Sequence, residues 1–215
     1  MSVHPLPPDV RELLDLLETG VAPGMSSFAV TKKTGTGVLF TAPHAVCHLT
    51  ASLPVRVKGS DVGTKEIALA AAERYGCAAM ATSSPWQGNA NADPIESCVF
   101  KGEVLRLLRS NVVAGVIDIH GMKDDHGIDV CVGSGGESPA LACAVANLLA
   151  STGLVVAVDE PFNASRPGSV TRTVLDAGFP AVQIEISSSV RASRRTHLVE
   201  ALGLVVGLFP RRASI

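Results

Sequence analysis

His44 closes the apolar run "VLFTAPHA", directly after Pro43. His120 closes "VVAGVIDIHG", two residues beyond Asp118, and Glu185 lies in "AVQIEIS" two residues beyond Gln183. Asp61 stands in "KGSDVGTK", just ahead of a helical stretch. Two imidazoles and a carboxylate, with one coordination position left to water, are the ligand set of a catalytic zinc site. A further carboxylate is what a metal-activated water needs as its general base. Each residue also has a plainer interpretation. A histidine at a strand end is often only hydrogen-bonded, and Asp61 suits a helix N-terminus through the dipole. Glu185, between Ile184 and Ile186, faces solvent by default. His48 would share a face with His44 in a helix, but "TASLP" after it predicts a loop. The case for a site is the convergence of four such residues at successive segment ends. Asp118 is placed to orient His120 from behind.

These residues need a scaffold, and the apolar runs supply one. Residues 9–18 form a short amphipathic helix by pattern, and 37–43 a strand. "GTKEIALAAAERYG" predicts a helix capped by Thr64 and closed by Gly76. "CAAMAT" predicts a second strand, "SSPWQGNANADP" a long loop, and 97–109 a helix. Strands follow at 112–121, in "IDVCVG", in "LVVAVDEP" and in "AVQIEIS", with helices at 138–151 and 169–177 and a closing amphipathic helix at 192–208. Strands alternate with helices, and several are continuous apolar runs, the mark of strands buried on both faces. The expectation is one α/β domain over 1–215, a mixed and mostly parallel sheet sandwiched between helices. In such sheets, functional groups gather beyond the C-terminal ends of the strands.

Composition narrows the class. The formal net charge of −2 comes without a basic block, which argues against nucleic-acid binding, since phosphates demand a dense cationic face. The arginines at 191–195 and 211–212 predict a solvated helix face and a frayed tail. The most apolar region, "ALACAVANLLASTGLVVAV", is broken by Asn147 and by Ser151-Thr152-Gly153 into a helix and a strand, each too short to span a bilayer. No signal peptide is expected at the N-terminus, and a cytoplasmic setting follows. Five irregularly spaced cysteines make no disulfide framework, so Cys131 and Cys143 are expected to be buried thiols. No GxGxxG follows the first strand, and neither a P-loop nor a GxSxG elbow is present.

The ordered set "APHA" (42–45), "KGSDVGTKEIA" (58–68), "DIHG" (118–121), "EPF" (160–162) and "VQIEI" (182–186) resembles the N-formylglutamate amidohydrolase family. That family belongs to the zinc-carboxypeptidase-like hydrolases, and the likeness covers roughly residues 36–205. The resemblance implies a phosphorylase/hydrolase-like α/β fold with one divalent metal, by expectation Zn2+, above the strand ends. It implies His44, Asp61 and His120 as ligands and Glu185 as general acid/base, acting on the C–N amide bond of a small molecule such as an N-formyl or N-acyl amino acid. A substrate carboxylate would need an arginine clamp, for which Arg56, Arg166 and Arg172 are candidates. Asp93-Pro94 is kept, but Ile95 follows where the family has asparagine, so Asn91 and its neighbour Asn89 are candidates for that contact. A carboxypeptidase-like peptide hydrolase and a non-catalytic binding protein on the same fold are the alternatives.

Overall fold

The computed structural model describes residues 28–31, 37–49, 57–83 and 86–210. Seven strands form one sheet in the order β1-β5-β2-β7-β10-β8-β9. They are β1 (Phe28–Thr31), β2 (Val38–Ala42), β5 (Ala78–Thr82), β7 (Gly115–Met122), β8 (Val130–Gly133), β9 (Val156–Val158) and β10 (Ala181–Ser187). The central β5-β2-β7-β10 block is parallel, β8 pairs parallel with β9, and β1 and β8 run antiparallel to β5 and β10. The sheet is therefore mixed and mostly parallel, as the pattern predicts. A second, small sheet joins β4 (Val57–Lys58), β3 (His48–Leu49) and β6 (Trp86–Gln87).

Helices cover both faces. On one side lie α1 (Thr64–Tyr75), α3 (Pro139–Ser151) and α6 (Arg195–Val206), packed on Val38, Phe40, Ile117, Ile119, Val182 and Ile184. On the other lie α2 (Val99–Arg109) and α4 (Val170–Asp176), packed on Leu39, Met80, Val116 and Ala181. Strand alternation then explains the site. On the α2/α4 side, Leu39 is followed by Thr41, Val116 by Asp118 and His120, and Ala181 by Gln183 and Glu185. One face of three adjacent strands turns from apolar to polar toward its C-terminal end. The chain also runs from β2 through α1 to β5, then back through α2 to β7 on the other side of β2. That reversal makes the crevice in which α/β proteins place ligands.

Several expectations are corrected. The closing helix is two helices, α5 (Ser188–Ser193) and α6, parted at Arg194. Arg191 is buried rather than solvated. Its guanidinium donates to Ile186 O, Val62 O, Met122 O and Ser188 Oγ. Gly121 makes the room, since a Cβ there would come within 2.6 Å of the Arg191 guanidinium. Thr64 is not the cap of α1. That position is Gly63, at φ 91, and the Thr64 hydroxyl donates to Asp61 O. Gly76 does close α1, with its N–H on Ala72 O. Cys143 is exposed, whereas Cys131 is buried. Residues 48–49 and 86–87, expected as loops, are strands. The 9–18 helix and Arg211-Arg212 lie outside the described residues. Among the described residues no helix is long and apolar enough to cross a membrane.

The loops over the polar face are tied together. The Lys101 ammonium, with the side chain buried in α2, donates to the carbonyls of Asp93 and Gly168. Gly168, at φ 84, lies so close to Ala92 that a Cβ would come within 3.2 Å of its carbonyl oxygen. Lys101→Met removes the donor to both carbonyls, which belong to half-buried residues. Hydrogen bonds to a charged group contribute about 1.5–3 kcal/mol where buried and less where water can replace the donor, so urea unfolding should show a stability loss of about 1–2 kcal/mol with the m-value unchanged.

Candidate metal centre

β2 ends at Ala42, and the turn through Pro43 brings His44 over the strand ends. The Asp61 N–H bonds to the His44 carbonyl at 2.8 Å, which brings the two residues together although 17 positions separate them. His120 comes from β7, and Glu185 stands beside it in register on β10. His44, Asp61 and His120 form a cluster whose donor atoms all lie within 4.8 Å of one another. Sequence placed these residues on separate segments, and the fold brings them together.

The hydrogen bonds fix which ring nitrogen faces inward. Asn89 Oδ1 accepts the backbone N–H of Asn91 at 2.9 Å, which identifies that atom as an oxygen. It lies 3.2 Å from His44 Nε2, so Nε2 carries the proton and Nδ1 the lone pair. His120 Nε2 likewise lies 3.0 Å from Asp118 Oδ2. Asp118 is fully buried and accepts from Thr41 Oγ1 at 2.6 Å and Thr171 Oγ1 at 3.2 Å. Both Nδ1 atoms then face one carboxylate oxygen. Asp61 Oδ2 is 3.8 Å from His44 Nδ1 and 3.6 Å from His120 Nδ1. Tetrahedral zinc ligands at about 2.0–2.2 Å from the ion stand roughly 3.4 Å apart. Both Asp61 pairs are within a few tenths of an ångström of that separation, and the third pair lies within 4.8 Å, so the donor types suit a divalent ion and the two imidazoles would close on it. Two ring nitrogens and a carboxylate turned on one point call for positive charge there, which a proton or a metal ion can supply.

The electrostatics agree. Burial, with the nearby His120, Lys58 and His48, holds His44 well below the usual imidazole range, which keeps it in the neutral, ligating form. Burial also opposes a charge on His120, but the Asp118 carboxylate, with Asp61 and Glu185, overrides it and raises that group well above the usual range. Without a metal, a proton on His120 supplies the positive charge the cluster calls for. Burial pushes the Glu185 carboxyl up, with His120 pulling the other way. Glu185 is 8% exposed and faces the site rather than bulk solvent, its Oε1 held by Gln183 Nε2 at 2.9 Å. His48 stacks on His44 with ring centroids 4.8 Å apart, and burial followed by the Lys58 charge brings it down to about 4.

The remaining nominated residues divide. Asn91 Oδ1 accepts from Val170 N at 3.2 Å, so the side chain is tied to the start of α4, and its Nδ2 lies 3.5 Å from the His120 Nε2 whose proton goes to Asp118. Arg172 is committed to Asp176, Glu137 and the Gly135 carbonyl. Arg166 is exposed on the loop before α4, near enough for its charge to act on Lys58. Arg56 lies outside the described residues. Lys58, Asn89, Thr41 and Thr171 were not singled out for these contacts by sequence. Their partners lie far along the chain, and no local pattern marks them. Asn89→Ala would free the His44 ring. Partners of this kind typically contribute 10–100-fold in metal affinity, and a zinc titration against a competing chelator should show a loss in that range.

Comparison with known proteins bears on the fold and on residues 100–191. The N-formylglutamate amidohydrolase family profile matches residues 100–191, which hold Asp118, His120 and Glu185. His44 and Asp61 lie outside that match and join the site through the fold. No curated protein sequence matches the chain. Among solved structures, the chain is similar to a bacteriophage poly-gamma-glutamate hydrolase, with 20% identity, TM-score 0.56, and 90% of this chain and 94% of that one covered. It is similar to N-formylglutamate amidohydrolase from Ralstonia eutropha, with 14% identity, TM-score 0.54, and 85% and 96% covered. A third is YNDL in a zinc-free apo form, with 17% identity, TM-score 0.57, and 93% and 98% covered. The chain thus has the mixed α/β fold of amidohydrolases and peptidases and carries the sequence pattern of the N-formylglutamate amidohydrolase family over residues 100–191.

Proposed function

We propose that the chain is a metal-dependent hydrolase that cleaves the C–N amide bond of a small molecule, of which an N-formyl or N-acyl amino acid is the first choice. One divalent ion, best matched by zinc, would be held by His44, Asp61 and His120. The observation that carries this is the pair of Nδ1 atoms turned on one oxygen of Asp61, each ring fixed from behind by Asn89 or Asp118. A zinc ion held there supplies a Lewis acid that acidifies water and polarises the amide carbonyl. Glu185 takes the proton from the attacking water as the C–O bond forms. It then passes that proton to the departing amine nitrogen as the C–N bond breaks. Its raised proton affinity suits a group that must accept and return a proton. Arg166, exposed and in no ion pair among the described residues, is the arginine best placed for a substrate carboxylate; Arg172 is held by its acidic partners.

The test is elemental analysis of the purified chain, followed by assay of the zinc-loaded protein. The panel holds N-formyl and N-acyl amino acids beside short α- and γ-linked glutamyl peptides. About one zinc per chain with turnover of the acyl amino acids supports the proposal. Cleavage of peptides alone moves the assignment to a peptide hydrolase on the same site. Stoichiometric metal without turnover of any amide leaves a binding protein and overturns it.

A further inference from the structure

Beside the proton on His120, a lysine ammonium stands against the cluster. Lys58 Nζ lies 3.0 Å from His44 Nδ1, on the nitrogen that the ligand set turns inward. Burial pulls its proton affinity below the usual lysine range, while the Asp61 and Glu185 charges act the other way and favour the ammonium. The backbone beneath it is fixed, because β4 pairs Lys58 with His48 on β3, and His48 in turn stacks on His44. The residue is half-buried and stands just before the loop that carries Asp61.

We propose that Lys58 is a tethered cation that occupies the His44 lone pair and must be displaced for a metal ion to bind. This rests on the metal-site reading above. A zinc ion would sit about 2.0–2.1 Å from Nδ1, and an ammonium 3.0 Å from the same lone pair cannot share it. Loading is then an exchange of one cation for another. Lys58 offsets the negative charge of Asp61 and Glu185 in the metal-free chain and sets the metal affinity below what the three ligands alone would give. Displacement requires only a change in side-chain rotamers, since the strand pairing holds the main chain.

The experiment is a zinc titration of the full chain against a chromophoric chelator at one pH and ionic strength. Lys58→Met is expected to bind zinc at least tenfold more tightly than the wild type, with the same stoichiometry. Lys58→Gln serves the same purpose should the methionine variant melt early. Arg166→Met removes a neighbouring positive charge that does not touch the lone pair, and should change affinity far less. In a His44→Ala background the contested nitrogen is gone, so Lys58→Met should give much less of the gain. Equal or weaker binding by Lys58→Met overturns the proposal while leaving the metal site intact. An equal gain from Arg166→Met also overturns it, since that would mark a general field effect. No zinc bound by either the wild type or Lys58→Met overturns both this and the hydrolase proposal.

Discussion

Glu185→Gln is expected to keep its metal and lose its chemistry. The amide is close in size to the carboxyl, and Glu185 is not among the three clustered ligands. Its neighbour Gln183 donates through Nε2 to Oε1, and a glutamine at 185 can still present an oxygen there. The fold and the zinc stoichiometry should therefore be unchanged. The variant lacks a group that can take a proton from water and return it to a leaving amine. General acid–base catalysis is worth about 10²–10⁴ in rate, so kcat should fall by a factor in that range with KM little altered. Steady-state kinetics beside elemental analysis separates this from a ligand defect. A variant that lost zinc along with activity would place Glu185 in the ligand shell instead.

Removal of a ligand should give the opposite pattern. His120→Ala is expected to reduce bound zinc from about one per chain to a trace and to abolish hydrolysis with it. Two ligands would remain, His44 and Asp61, and His120 is the one that joins the sheet to the cluster. The variant also leaves Asp118, fully buried, with Thr41 and Thr171 as its hydrogen-bond donors and no imidazole. A buried carboxylate that loses a charged partner is costly, about 3–5 kcal/mol where the pair was fully buried. Urea unfolding of the metal-free protein should therefore show a loss of stability as well. Asp118→Asn in the same background removes the stranded charge and should recover part of that stability without recovering zinc. Elemental analysis and urea unfolding read the two effects separately.

His44, His120 and Glu185 were legible as candidates because of where apolar runs stop, whereas Asp61 stands in a polar loop. "VLFTAPHA", "VIDIHG" and "VQIEIS" each end a buried strand in groups that a core does not accept without partners, and the strand period of two places Asp118, His120, Gln183 and Glu185 on one face. Sequence could not show which face that was, and Glu185 between two isoleucines looked as well suited to solvent. Lys58 and Asn89 were not legible as the partners of His44, because a lysine and an asparagine in polar loops carry no period. Arg191 was misjudged for a related reason. Its cluster reads as a solvated face, and its burial depends on the missing side chain of Gly121, 70 positions away, which no local pattern reports. The three two-residue strands of the small sheet are too short to show alternation.

The join made by Lys101 has a thermodynamic consequence. Asp93 accepts the Asn89 N–H, Asn91 receives the Val170 N–H, and Lys101 holds the Asp93 and Gly168 carbonyls, so the loop that orients His44 and the loop that leads into α4 share their bonds. Such shared bonds make the two loops expected to open together as one cooperative unit, and hydrogen exchange should show a substitution in either lowering the amide protection of both.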